Sequence, residues 1–187
     1  MKLFVVSDIF CKPELPSCLS TRLPLADQVS HHALNELAGR PELSGEALHR
    51  YLFQDRGMNK AVATLTEMMT KEKHCFGLGY SAGGTALWKT AAFQAVPLLG
   101  LFCVSSTRLR DETAIPVTAH VFFGSQDPGR PSLEWLRTVP VSYTLFENAA
   151  HSDYLEKDSE MVRKTGDVIH NAMKSFALQR DSTRDSR

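Results

Sequence analysis

Six short apolar runs, spread along the chain with helical patterns between them, limit the folds that this sequence can adopt. Most of the runs show little alternation of apolar and polar residues, which is typical of strands buried on both faces of a parallel sheet. Strands that alternate with helices predict an α/β sheet with right-handed crossovers. The predicted strands are Lys2–Val6, Gln28–Leu34 (the weakest), His74–Tyr80, Leu98–Val104, Val117–Phe123 and Val141–Phe146.

Three segments have the apolar spacing or the alanine-rich composition of helices: Gly57–Lys73, Ala82–Ala95 and Asp158–Leu178. The polar and charged stretch at 179–187 has no apolar periodicity and is predicted to be a disordered tail. Because 187 residues lie within the usual size of one domain, we expect a single domain over residues 1–178.

The composition argues against several classes of function. Lys and Arg together number 21, as do Asp and Glu, so no excess of positive charge indicates binding to nucleic acid or to an anionic membrane. The apolar runs are far shorter than the roughly 20 residues of a membrane span. The start of the chain, MKLFVV, is interpreted as a buried strand rather than a signal peptide, so we expect a cytoplasmic location.

The four cysteines give no indication of a metal site, because no pair has C-x-x-C spacing. Cys75 and Cys103 lie in apolar runs and are expected to be inert thiols of the core. Neither a metal nor an organic cofactor is expected, and nothing in the sequence indicates the oligomeric state.

The stretch FGLGYSAGG, Phe76–Gly84, contains the pattern G-x-S-x-G with Ser81 at its centre. Ser81 follows a predicted strand and opens a predicted helix, which is the setting of a nucleophile elbow. Gly79 and Gly83 have no Cβ, so strand and helix can approach closely around the serine. The helix N terminus would direct N–H groups at an oxyanion, with Ala82 as the expected first donor. A glycine-rich turn without chemistry is the alternative interpretation.

A serine hydroxyl becomes a nucleophile only with a base and an acid that orients the base. In a parallel sheet we expect both at the carboxyl ends of later strands, where Asp127 and His151 lie. The chain order Ser81, Asp127, His151 is the order found in α/β hydrolases, so the sequence predicts this triad. Asp111 and Glu112, in the loop after the fourth strand, are the alternative acids. The other histidines lie within predicted elements or at the wrong strand end and are expected to be structural.

The exit of the first strand, in the stretch VVSDIFCKP, is where such sites take their second oxyanion donor. We assign this role to the N–H of Ile9, with Phe10 as the alternative. The default interpretation of Asp8 is a solvated loop residue or a helix cap, and the sequence leaves its role open.

These motifs resemble the α/β-hydrolase superfamily, and within it the small dienelactone hydrolase-like group. The resemblance covers nearly the whole chain, from SDIFCKP through GYSAGG and FFGSQDP to ENAAHSDY. It implies an α/β-hydrolase fold with a minimal, mostly parallel six-stranded sheet flanked by helices and no cap domain. Dienelactone hydrolases carry a cysteine in the elbow, so Ser81 implies the chemistry of a serine esterase instead.

The function expected from these residues is a serine hydrolase that cleaves a small ester, thioester or lactone through an acyl-enzyme. The polar connection Ser105–Pro116 is too short for a helical lid, which favours short acyl groups. The alternative is a hydrolase-like scaffold that acts as a protein-binding module with little turnover, since one fold can host unrelated functions.

Overall fold

The computed structural model describes residues 2–10, 29–93, 96–140 and 142–184, with side chains up to residue 176. Its centre is a six-stranded sheet in the order β2-β1-β3-β4-β5-β6, in which every neighbouring pair is parallel. The strands are β1 (Lys2–Val6), β2 (Val29–His32), β3 (Cys75–Tyr80), β4 (Leu98–Val104), β5 (Ala119–Gly124) and β6 (Ser142–Phe146). The strand order reverses between β1 and β3, and such a switch point opens a crevice at the carboxyl ends of the strands.

Helices cover both faces of this sheet. They are α1 (Leu34–Leu37), α2 (Gly45–Gln54), α3 (Gly57–Met69), α4 (Ala82–Ala92), α5 (Leu133–Thr138) and α6 (Glu160–Arg184). Short 3₁₀ turns at Thr107–Asp111 and Asp153–Leu155 follow β4 and β6.

The core is divided by the sheet into two apolar layers. Along β1, Phe4 and Val6 face the layer built with α1 to α5, whereas Leu3 and Val5 face the layer covered by α6. All four side chains are almost completely buried, so this strand contributes to both layers. Because β1 is buried on both faces, its apolar residues do not alternate with polar ones, as the sequence predicted.

The predicted elements are present, with differences at their ends. β1 and β4 have the predicted bounds, whereas β5 begins at Ala119 rather than at Val117. β2 is described from Val29, since Gln28 lies outside the described residues. The six-stranded parallel sheet is confirmed, and within the described residues no antiparallel strand pairs with it.

The last helix is longer than expected. α6 continues to Arg184, so the backbone of residues 179–184 is helical where a disordered tail was predicted. Good helix formers in that stretch, one glutamine and two arginines, permit this extension. The division into a domain ending at 178 and a tail stays a prediction. None of the described helices is both long enough and apolar enough to cross a membrane.

Two of the histidines in the sheet, His32 of β2 and His120 of β5, keep their neutral form. In β5, His120 Nδ1 lies 2.9 Å from Ser142 Oγ and its Nε2 lies 2.8 Å from Thr144 Oγ1. Burial lowers the pKa of His120 to about 4. Burial, and then the charge of Lys2, lower the pKa of His32 to about 4 as well.

Mild acidification should therefore destabilise the fold at pH values where these two rings are still neutral in the folded protein. An unfolded histidine titrates near about 6.5, so below that value the unfolded chain binds protons that the folded chain does not. The free energy of unfolding should fall from pH 7 to pH 5, by on the order of 1 kcal/mol per histidine for such partly exposed rings. Urea unfolding across this range should show a smaller fall for His120→Gln and for His32→Gln. Equal falls in wild type and both variants would contradict the buried neutral state.

Candidate active site

Four strand ends bring the predicted site residues to one edge of the sheet. Ser81 directly follows β3, Ile9 lies in the turn after β1, and Asp127 and His151 follow β5 and β6. Since all strands are parallel, these loops leave the sheet at the same edge. β1 and β3 are the strands at which the order reverses, so Ser81 and Ile9 flank the expected ligand crevice.

Ser81 occupies a strained backbone conformation. Its φ is +48° and its ψ is −116°, a combination that non-glycine residues rarely adopt. Strain of this kind costs about 1–3 kcal/mol and is found mainly at functional sites. The N–H of Ser81 donates to the carbonyl of Val104 in the neighbouring strand at 2.8 Å, and α4 begins at the next residue. This is the geometry of the predicted nucleophile elbow.

The glycines of the elbow are required by close backbone contacts. A Cβ on Gly83 would collide with the carbonyl oxygen of Ser7 and would lie 2.5 Å from that of Val6. A Cβ on Gly79 would collide with the backbone of Gly84. The start of α4 therefore packs directly against the exit of β1, which no residue with a side chain would allow.

The structure pairs Asp127 with His151. Asp127 Oδ2 lies 2.7 Å from His151 Nδ1, and its Oδ1 accepts the N–H of Gly129 at 2.9 Å. The Asp127 side chain is 2% exposed and that of His151 is 39% exposed, so the acid is buried and the base faces the solvent side of the site. An ionised carboxylate only accepts hydrogen bonds, so Nδ1 carries the proton and Nε2 is the basic nitrogen.

Neither alternative acid, Asp111 or Glu112, is the residue that pairs with His151. Glu112 pairs with Lys89 at 2.6 Å, and Asp111 is exposed at the end of its 3₁₀ turn. Among the described residues no hydrogen bond joins Ser81 Oγ to His151 Nε2. In enzymes without substrate such contacts are often long, and they tighten in the complex.

The predicted oxyanion donors differ in what surrounds them. Ala82 contributes one of the first N–H groups of α4, which have no partner within the helix. The N–H of Phe10 donates to Asp8 Oδ1 at 2.8 Å, so this alternative donor is already in use. The carbonyl of Ile9 accepts the N–H of Gly45 at 2.8 Å, which ties the loop to the start of α2. Ile9 stays the predicted second donor.

The interpretation of Asp8 as a solvated residue is wrong, because the side chain is buried. Asp8 is 7% exposed, and its Oδ2 accepts the hydroxyl proton of Tyr154 at 2.8 Å. The Tyr154 ring stacks on Tyr80 and meets the ring of His151 edge-on. Sequence reasoning missed Tyr154; its position three residues after the predicted base was the available signal.

The described cysteines match the expectation of core thiols. Burial raises the pKa of Cys75 to about 12 and raises that of Cys103 too, so neither forms a reactive thiolate. Cys11 and Cys18 lie outside the described residues. In the part of the chain that the structure describes, no three His, Cys, Asp or Glu residues cluster as metal ligands would.

Solved structures show the same fold. A hydrolase of the α/β superfamily from Xanthomonas campestris pv. campestris has a TM-score of 0.68 at 14% identity, over 93% of this chain and 98% of that one. A dienelactone hydrolase from Anabaena variabilis has a TM-score of 0.62 at 13% identity, over 94% and 86%. A CIB-like hydrolase from Thermoplasma acidophilum has a TM-score of 0.63 at 18% identity, over 91% and 86%.

The chain therefore has the α/β-hydrolase fold. No family model and no curated protein matches the sequence. At these identities the structural likeness identifies the fold, and the chemistry has to be argued from the site itself.

The close contact at the elbow gives a direct test of this geometry. Gly83→Ala should lower the free energy of unfolding by about 1–3 kcal/mol, because the new methyl group forces the start of α4 away from β1. Gly166→Ala is the matched control, since a Cβ there meets nothing within 4 Å and alanine stabilises a helix by about 0.5–1 kcal/mol. Denaturant unfolding of both variants measures the difference. A Gly83→Ala protein as stable as Gly166→Ala would show that the elbow is looser than described.

Proposed function

We propose that the chain is a serine hydrolase that cleaves a small ester, thioester or lactone through an acyl-enzyme. The observation that carries the proposal is Ser81 on a strained strand-to-helix turn, at the same sheet edge as the hydrogen-bonded pair Asp127 and His151. A serine, a base and a buried acid that orients the base are the groups that acyl transfer to a serine uses.

Acylation would proceed with each residue in a separate role. As Ser81 Oγ attacks the substrate carbonyl carbon, His151 Nε2 takes the hydroxyl proton, and Asp127 stabilises the resulting imidazolium. The carbonyl oxygen becomes an oxyanion that accepts hydrogen bonds from the N–H groups of Ala82 and Ile9. When the bond to the leaving oxygen or sulfur breaks, His151 returns the proton to it.

Deacylation repeats these steps with water. His151 removes a proton from a water molecule, whose oxygen attacks the acyl carbon of the ester on Ser81. The second tetrahedral intermediate uses the same oxyanion donors. Its collapse breaks the bond to Ser81 Oγ, which recovers its proton from His151 as the carboxylic acid leaves.

The surroundings of the site support a small substrate. The connection after β4 contains only a 3₁₀ turn at Thr107–Asp111, and α2 is attached to the loop after β1 through Gly45 and Ile9. Leu48 and Leu52 of α2 are buried, while Phe53 lies under the guanidinium of Arg108 with 4.9 Å between that group and the ring centre. These elements can wall one side of a site, but they contribute little apolar surface for a long acyl chain, whose burial would supply about 0.8 kcal/mol per methylene.

Labelling with a fluorophosphonate tests this proposal. The reagent should modify wild type at Ser81, and Ser81→Ala should be unlabelled and should lose roughly 10³-fold or more of its turnover of p-nitrophenyl acetate. Ser175→Ala, which removes an exposed serine of α6, should behave like wild type. Peptide mass spectrometry would identify the modified residue.

Two outcomes would contradict the proposal. Equal labelling of wild type and Ser81→Ala would place the nucleophile elsewhere. A folded wild type with neither labelling nor turnover would favour the alternative, a hydrolase-like scaffold that binds a protein partner.

A further inference from the structure

Tyr154 contacts the end of β3, the predicted base and the loop after β1. It lies in the 3₁₀ turn that follows His151, and it is 4% exposed. Its ring stacks on Tyr80, the residue before Ser81, with 5.4 Å between ring centres and 17° between the planes. The ring also meets His151 edge-on, at 6.1 Å and 81°. One side chain therefore packs against the residue before the elbow serine and against the predicted base.

The hydroxyl of Tyr154 reaches the loop after β1. It donates to Asp8 Oδ2 at 2.8 Å, in a buried hydrogen bond between residues 146 positions apart. Asp8 Oδ1 accepts the N–H of Phe10, so one carboxylate closes its own turn and also holds the turn after β6. β1 and β6 are separated in the sheet by β3, β4 and β5, so this bond joins loops whose strands do not pair.

The surroundings of the phenol keep it a donor. Burial is the main cause that raises the pKa of Tyr154, followed by the charge of Asp8 and the hydrogen bond to it. The hydroxyl thus stays protonated at neutral pH and donates its hydrogen bond to Asp8. Buried polar groups of this kind are costly when one partner is removed, which makes their geometry well defined.

We propose that Tyr154 and Asp8 form a positioning pair that holds the oxyanion loop at a set distance from the base. Asp8 anchors the turn that carries Ile9, and the ring of Tyr154 supports the imidazole of His151. This inference rests on the proposed serine hydrolase function, because the pair acts only by positioning Ile9 and His151. The oxyanion donor and the base act on the same tetrahedral carbon, and a misplacement of about 1 Å can cost about 10²-fold in rate.

Removing the single hydroxyl is the sharpest test. Tyr154→Phe keeps the ring on Tyr80 and His151 and loses only the bond to Asp8. We expect its kcat for p-nitrophenyl acetate to fall about 10- to 100-fold with KM changed less than about two-fold, since the defect lies in alignment rather than in substrate binding. The kcat of Asp8→Asn should also fall. The kcat of the double variant should be no lower than that of the less active single variant, because both residues act through one contact.

A short alkyl boronic acid reports on the alignment without turnover. Its boron bonds to Ser81 Oγ, the serine proton moves to His151, and the boron becomes a tetrahedral anion that faces the oxyanion donors. Its inhibition constant should rise in Tyr154→Phe by about the same factor as kcat/KM falls. Tyr143→Phe is the control, since it also removes one phenol hydroxyl but lies near the start of β6, at the end of the strand opposite the candidate site. That variant should keep the wild-type kcat and inhibition constant.

The outcomes separate this inference from the proposed function. Circular dichroism and the midpoint of thermal unfolding establish that each variant is folded. Suppose that wild type hydrolyses the ester in a Ser81-dependent reaction, and that folded Tyr154→Phe keeps kcat and boronate affinity within about two-fold of wild type. The positioning role is then overturned, and the proposed serine hydrolase function is retained. A lowered unfolding midpoint with unchanged kcat would likewise overturn it, as a purely structural contact. Absence of Ser81-dependent turnover in wild type would overturn both proposals.

Discussion

The contact between the start of α4 and the exit of β1 is the constraint on which the site depends. Gly83 lies against the carbonyl oxygens of Val6 and Ser7 with no room for a side chain. This contact places the first N–H groups of α4 beside the loop that carries Ile9. The strained φ of Ser81 follows from it, because the chain has to reverse from strand to helix within one residue. Packing of β3 and α4 into the buried layers holds that strain in place.

The parallel sheet explains why distant residues meet. Asp127 and His151 follow different strands, yet both strands deliver their ends to one edge, where the two side chains are hydrogen-bonded. Tyr154 then connects this pair to the loop after β1 through Asp8. The site is thus a set of loops whose positions are set by backbone pairing and refined by a few buried side-chain contacts.

Much of this arrangement could be predicted from the sequence, because it depends on local patterns. The apolar runs located all six strands, and the elbow motif after β3 indicated where α4 begins. The sequence favoured Asp127 as the partner of His151 but kept Asp111 and Glu112 as alternatives, because all three follow strand ends. The contact of Asp8 with Tyr154 could not be predicted, since burial of a loop carboxylate depends on a partner 146 positions away. The extension of α6 beyond residue 178 was missed because polar residues give no apolar periodicity.

A crystal structure of the protein after reaction with a methylphosphonate ester tests the central claim most directly, namely that Ser81 is the nucleophile within one assembled site. The account predicts phosphorus bonded to Ser81 Oγ and a phosphoryl oxygen about 2.7–3.1 Å from the backbone nitrogens of both Ala82 and Ile9. His151 Nε2 should lie within hydrogen-bonding distance of Ser81 Oγ, with Asp127 still on Nδ1. Phosphorus on another residue, or a phosphoryl oxygen directed away from both nitrogens, would contradict the account.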